Sequence, residues 1–451
     1  MTPPAATGAG RVAAFRGSVL HCLDDPAAAG DAAIEYLDDG LLVCEDGHVT
    51  GLGPAPELLA RLPGGAQVTD HRGKLIVPGL VDCHVHFPQV DMIASYGEQL
   101  LEWLEKYAFP AERRFDDPAH AADTAAFFVD ELLRNGTTTA LVFATVHPAS
   151  VDAIFSAAER RGMRLVAGKV LMDHACPEDL RDGADAGIGE SRELLRRWHG
   201  RGRLGYAVTP RFAVTSSERQ LQAAGQLAQE FPDVHVHTHL AENRAEVERI
   251  GERFPECRSY LDVYERFGLL RRKSVFAHCL HIDDKDRAAL ARHGGAIAFC
   301  PSSNLFLGSG LFDLAAAEAH GVRVGAGSDV GGGTSLNMLA TLADGYKVLQ
   351  LHGQPLSAWR ALYLATLGAA RALYLDDRIG NFESGREADF VVLDPAATPL
   401  LARRTARAAD IAERLFALLM LADDRAVAAT YLMARPASVR TAAAGAPAAG
   451  R

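Results

Sequence analysis

Two histidines two positions apart, in Val81-Asp82-Cys83-His84-Val85-His86, close the apolar run Leu75-Ile76-Val77-Pro78-Gly79-Leu80. The run is β-branched, apolar on both faces and too short for a core helix, so it reads as a buried strand. Side chains at i and i+2 of a strand share a face, about 7 Å apart at the backbone, and both imidazoles can turn onto one ion. By itself such a pair reads more simply as one packed and one surface histidine. Here it has company. His239 ends Val234-His235-Val236-His237-Thr238-His239, His278 ends Ser274-Val275-Phe276-Ala277-His278, and Asp329 ends Val324-Gly325-Ala326-Gly327-Ser328-Asp329. His84, His86, His239, His278 and Asp329 together offer a nitrogen- and oxygen-rich donor set that suits Zn²⁺, one per chain, with Fe²⁺ a workable substitute. His278 is expected either on the metal or beside its water. Glu242 follows His239 by three residues, where strand turns to helix, and is placed to shuttle a proton; Asp329 can touch the metal and orient the attacking hydroxide. His235 and His237 share the face of His239 but lie deeper and are read as packing. His147, His174, His281 and His320 are read as core or surface residues.

Residues so far apart can meet only if the elements carrying them present one end together. Eight apolar strand candidates fall at 75–86, 137–146, 163–171, 204–214, 234–240, 274–280, 296–300 and 323–329. Helical-period stretches such as 118–135, 150–161, 216–230, 243–254 and 283–293 lie between most of them. This alternation predicts a distorted (β/α)₈ barrel, whose strand ends carry the chemistry. A doubly wound sheet is the alternative, but no Gly-x-Gly-x-x-Gly or P-loop follows an early strand. Short strands near 18–22, 40–44 and 48–53, the last two joined by an Asp-Gly turn, precede the barrel. A further strand at 388–395 follows it. Both chain ends are thus expected to build one small β-sandwich, giving a division into 1–73, 74–378 and 379–451, with 1–15 and 437–451 flexible.

The 451 residues exceed a single typical core, and a net charge of −11 argues against nucleic acid or an anionic membrane as partner. Seven scattered cysteines, never spaced Cys-x-x-Cys, exclude a disulfide framework or thiolate zinc finger and suit a reducing cytoplasm. The N-terminus lacks a signal-peptide pattern, and no apolar window is long enough to span a membrane. His-Glu-x-x-His and the His-x-Glu with Pro-Cys-x-x-Cys deaminase pattern are both absent.

His84-x-His86, His239, His278 and Asp329, in that strand order, resemble the mononuclear deaminase branch of the amidohydrolase superfamily. Phe87-Pro88-Gln89, the block from Leu101 to Glu112, Thr209-Pro210-Arg211-Phe212, His239-Leu240-Ala241-Glu242-Asn243, Cys300-Pro301-Ser302-Ser303-Asn304 and Gly380-Asn381-Phe382-Glu383 are similar to the guanine deaminases within it. The similarity spans about 70 to 395. It implies a barrel with a composite β-sandwich, a homodimer, and hydrolysis of guanine to xanthine and ammonia. His86, Phe87, Pro88, Gln89, Arg211, Phe212, His239, Glu242, His278 and Asp329 would then face the substrate. Gln89 offers a donor and an acceptor, Arg211 donors for a ring carbonyl or N7, and Phe212 an apolar face; without the resemblance, Arg211 reads as a surface ion pair and Phe212 as core. Where dinuclear relatives carry a carboxylated lysine stands Thr209-Pro210-Arg211, which supports one metal; Lys169 is read as structural. Trp103 and Tyr107 are read as lid packing or substrate contact, and Glu102, Glu105, Glu112, Arg113 and Arg114 as a solvated mixed-charge face. The competing readings are a deaminase of another aminated ring (pterin, triazine or adenine-type base) and a non-catalytic scaffold.

Overall fold

The computed structural model describes residues 12–440. The strands in chain order are β1 Val12–Cys22, β2 Ile34–Glu45, β3 His48–Pro54, β4 Gln67–Pro78, β5 Leu80–His86, β6 Thr137–Phe143, β7 Arg164–Gly168 and β8 Val170–Leu171. They continue as β9 Leu204–Pro210, β10 His235–Leu240, β11 Ser274–His278, β12 Ala296–Phe299, β13 Arg323–Ala326, β14 Phe390–Leu393, β15 Val427–Leu432 and β16 Arg435–Val439.

The barrel runs β5-β6-β7-β9-β10-β11-β12-β13, every neighbouring pair parallel, with β8 a short continuation beside β9. Helices cover its outside, so β5, β6 and β7 are buried at every position, which is why they read as unbroken apolar runs rather than alternating ones. The two ends of this path meet beside the site. Asp329 N–H donates to His84 O at 2.8 Å, and His86 N–H to Val330 O at 2.8 Å. Asp82 Oδ1 also accepts the N–H of Ser328 at 3.0 Å and of His84 at 3.1 Å. The first and last strands are therefore pinned together where their chemistry-bearing residues emerge.

The expected strand 75–86 is in fact two. A Cβ on Gly79 would stand 2.0 Å from Thr138 Oγ1, so the chain can pass this point only with glycine. Before it, β4 pairs with β1 and β14; after it, β5 enters the barrel. The strand expected at 163–171 is likewise interrupted at Lys169, whose buried ammonium sits 2.5 Å from Asp182, a structural pair as anticipated.

Strands from both chain ends join in one seven-stranded sheet, β16-β15-β14-β4-β1-β2-β3. The edge strand β3 reaches back to the segment entering β14, through Val49 N–H to Arg386 O at 2.8 Å and a bridge between His48 and Glu387. Curled this way, the sheet encloses its own core of Phe15, Leu42, Ile76, Phe382, Phe390 and Tyr431. A buried network fastens the sheet to the barrel rim opposite the site: Arg203 Nη2 donates to Glu387 Oε2 at 2.6 Å and Arg164 Nε to the same oxygen at 3.1 Å. Most of the ends expected to be flexible, 1–15 and 437–451, lies outside the described residues. The parts within them, Val12–Phe15 and Ala437–Val439, are strand, because each pairs with a neighbour in the sheet. Among the described residues, no helix is long and apolar enough to cross a membrane.

Candidate active site

The site is built first from strand ends. His84 and His86 leave β5, His239 sits near the end of β10, His278 ends β11, and Asp329 follows β13. His84, His239, His278 and Asp329 offer donor atoms that all lie within 4.8 Å of one another. His86 joins them, its Nε2 3.2 Å from His84 Nε2 and 3.2 Å from His239 Nε2. Asp329 Oδ1 stands 3.1 Å from His84 Nε2 and 3.4 Å from His86 Nε2. Bonds of about 2.1 Å around one small cation would set neighbouring donor atoms at about this spacing.

Not every imidazole nitrogen here finds a hydrogen-bond partner. His239 Nδ1 lies 2.7 Å from the carbonyl of Arg211, an acceptor only, so that nitrogen carries the proton and Nε2 is bare. His278 Nδ1 is 2.9 Å from Asn304 Oδ1, which leaves its buried Nε2 with no hydrogen-bond partner. Burial drives His86 down to about 4 and holds His84 and His239 low as well, so these rings are neutral near pH 7. Burial would raise Asp329, but the His84 and His86 imidazoles keep it well below the usual carboxylate range. Imidazole nitrogens and an ionised carboxylate converging in a buried pocket are the donor set of a divalent cation.

His237 does more than pack. Its Nε2 is 2.7 Å from His84 Nδ1, so it fixes the ring orientation of a candidate ligand, as such outer partners do in metal sites. His235, by contrast, bonds the Leu373 carbonyl at 2.8 Å, deep in the barrel.

Several residues here hold left-handed backbone without being glycine: Ala241 (φ 50°), His278 (φ 71°), Cys279 (φ 54°) and Asp329 (φ 48°). Such conformations persist only where surrounding structure enforces them, and they cluster at functional sites. The turn after Ala241 aims Glu242 into the cavity. Its Oε2 is 3.4 Å from His278 Nε2, and its Oε1 accepts from Ser309 Oγ at 3.0 Å. Burial, and then the charge of Asp329, push Glu242 up to about 8, a proton affinity that a cation alongside would oppose. Glu246, which the sequence did not single out, secures this turn: its Oε2 accepts the N–H groups of Glu242 at 3.0 Å and Asn243 at 3.3 Å.

The opposite wall comes from the chain between β5 and the helix Pro118–Arg134, together with Arg211 and Phe212 after β9. His86, Gln89, Arg211, Phe212, His239, Glu242, His278 and Asp329 all line one cavity, closed over by Leu100, Trp103, Leu104 and Leu307. Trp103 is therefore both buried and at the cavity, while Tyr107 is not in its lining. Phe87 and Pro88, expected at the substrate, are buried outside that lining; the Phe87 ring packs edge-on against Phe115, centroids 5.2 Å apart.

Glu112 corrects the sequence reading most sharply. It was expected on a solvated face with Glu102, Glu105, Arg113 and Arg114, and those four are exposed. Glu112 is 1 % exposed. Its Oε2 accepts from Arg211 Nη1 at 2.6 Å and its Oε1 from Gln89 Nε2 at 2.9 Å. Arg211 is accordingly not a surface ion pair but one arm of a buried one. The missed signal was position: Glu112 is eight residues from Leu104 and three from Phe109, on the inward face of a helical segment.

A family model for the amidohydrolase family matches residues 75–435. The chain belongs to the amidohydrolase family. Among curated amidohydrolases it is 50% identical to the guanine deaminase of Escherichia coli over 425 residues, 94% of this chain and 97% of that protein. The solved structure of the E. coli enzyme superposes with a TM-score of 0.93, covering 95% of this chain and all of the other. Guanine deaminase from Bradyrhizobium japonicum gives 0.92 at 36% identity over 95% of this chain and 100% of its own. That from C. acetobutylicum, solved with guanine in its active site, gives 0.85 at 26% identity over 94% and 99%.

Proposed function

We propose that this protein deaminates guanine hydrolytically, giving xanthine and ammonia, with one zinc ion held by His84, His86, His239 and Asp329 and with His278 on the ion or beside its water. The observation that carries the reading is the convergence of imidazole nitrogens and the Asp329 carboxylate at one end of a cavity whose other wall presents Gln89 and Arg211. Half the residues are shared with an enzyme of that activity over nearly the whole chain, which supports the same substrate.

Zinc held by these residues would supply Lewis acidity, lowering the pKa of a neighbouring water toward neutrality. Glu242 accepts a proton from the attacking water and returns it to the ring nitrogen as a C–O bond forms at C2. It then passes the proton of the new hydroxyl to the departing amine; the C–N bond breaks, C2 becomes a carbonyl, and ammonia leaves. Asp329, fixed by the His84 and His86 contacts, orients the attacking oxygen. His278, held through Asn304, turns Nε2 toward Glu242 and Asp329, where it can reach the ion or the attacking water. Arg211 and Gln89 grip the ring, Phe212 covers it, and Leu100, Trp103 and Leu104 keep water out. The barrel from Leu80 to about 378 would carry this chemistry, and the sheet strands within 12–78 and 379–440 would brace it. All seven cysteines are unpaired, which supports a cytoplasmic setting. The homodimer implied by the family resemblance is to be checked by sedimentation.

The deciding measurement is ammonia release by metal-replete protein from guanine set against a pterin, a triazine and adenine. Preference for any of the latter by tenfold or more in kcat/KM would displace guanine as the substrate. Release from none, with metal bound, would favour the scaffold reading.

A further inference from the structure

We propose that Glu112 is the specificity-setting positioning residue of this site: one buried carboxylate that fixes, with one oxygen each, the two groups that read the substrate's polar edge. The inference rests on the guanine reading above.

An amide presents an oxygen and an NH₂ group of nearly the same shape, so a free glutamine reads a carbonyl and an amine equally well by turning over. Gln89 is not free. Its Nε2 donates to Glu112 Oε1 at 2.9 Å while its Oε1 accepts from Gly331 N–H at 3.1 Å. Turning the amide over would set oxygen against carboxylate and NH₂ against N–H, losing both bonds and adding repulsion. Each amide atom keeps one further hydrogen or lone pair, and Gln89 lines the cavity, so the substrate meets donor and acceptor in a fixed order.

Arg211 is held from the same side. Its Nη1 binds Glu112 Oε2 at 2.6 Å and its guanidinium lies 5.2 Å from the centre of the Phe109 ring, leaving the remaining donors for the cavity it lines. The pair is dry, the side chains 1 % and 2 % exposed, so neither partner can exchange the other for water. Glu112 thereby locks a donor-rich edge matched to a purine carbonyl, and a ring bearing an amine there meets donors where it needs acceptors.

The test compares KM and kcat for guanine with the inhibition constant of 2,6-diaminopurine, which carries an amine in place of the O6 carbonyl, in wild type and in Glu112→Gln. A glutamine at 112 can accept from only one partner, so one of the two bonds is lost and Gln89 can turn over. The expected result is a guanine KM raised by about 10- to 100-fold, kcat within about threefold, and a 2,6-diaminopurine constant that stays level or tightens. Parallel loss of affinity for both purines, or a fall in kcat with KM unchanged, would overturn the proposal and leave Glu112 a packing residue. Should Glu112→Gln not fold, Glu112→Asp is read the same way, since its carboxylate is too short to span both partners. Wild type that releases no ammonia from guanine removes the substrate reading and this proposal with it; wild-type activity with parallel losses in the variant removes the proposal alone.

Discussion

The cavity has two halves built on different principles. The metal-type cage stands on the ends of four parallel strands, β5 giving two of its histidines, and each strand's place is set by ladder hydrogen bonds around the barrel. The recognition wall stands on the irregular chain from Phe87 to Asp116, where short helical turns, including a π-turn at Leu104–Ala108, carry Trp103, Leu104 and Glu112 inward. The cage is held by its framework, whereas the wall is held by its own side chains, with Glu112 as the shared tie. Damage to the cage should therefore abolish turnover without touching affinity, and damage to the wall should do the reverse.

The strongest way to break this contrast is to remove the metal. Dialysis against a chelator should eliminate ammonia release, with recovery on adding back one equivalent of Zn²⁺, followed by metal analysis; activity that survives with no metal present would end the cage reading. Next comes Glu242→Gln, expected to lower kcat for guanine by about 10²–10⁴-fold while metal content and KM hold. Turnover within threefold of wild type would eliminate the proton shuttle. On the wall, Phe212→Ala should raise KM about tenfold through lost apolar cover and leave kcat nearly intact. A kcat-dominated loss would merge the two halves into one functional unit.

The smallest effect should come from a buried pair belonging to neither half. Burial lifts Asp182 to about 6 against the pull of Lys169. A carboxylate held above its ordinary value of 3.8 takes up a proton on folding, so its contribution to stability is full below about pH 4 and is lost as the pH rises toward 6. Asp182→Asn should flatten that decline, by about 1–3 kcal/mol between pH 4 and 7 in urea titrations, with kcat/KM unchanged. An unaltered slope would contradict the assignment.

The sequence by itself determined what local pattern can encode. Apolar runs ending in His84-x-His86, His239, His278 and Asp329 announced strands whose ends bear ligands, and a barrel's parallel strands bring like ends together. It also carried Glu242, because a carboxylate three residues past a strand-ending histidine falls on the exit turn. Only tertiary structure decided the rest. The split at Gly79 depends on Thr138, 59 positions later, closing against the backbone. His237 became a support for His84, and Asn304 for His278, through contacts across strands that no spacing shows. Glu112 looked like one charge among five neighbours, and burial alone separated it from them. The physical reason is common to all of these: a ladder repeats and so leaves a period in the sequence, whereas a buried polar group is defined by the single distant partner that satisfies it, and that pairing leaves no period to read.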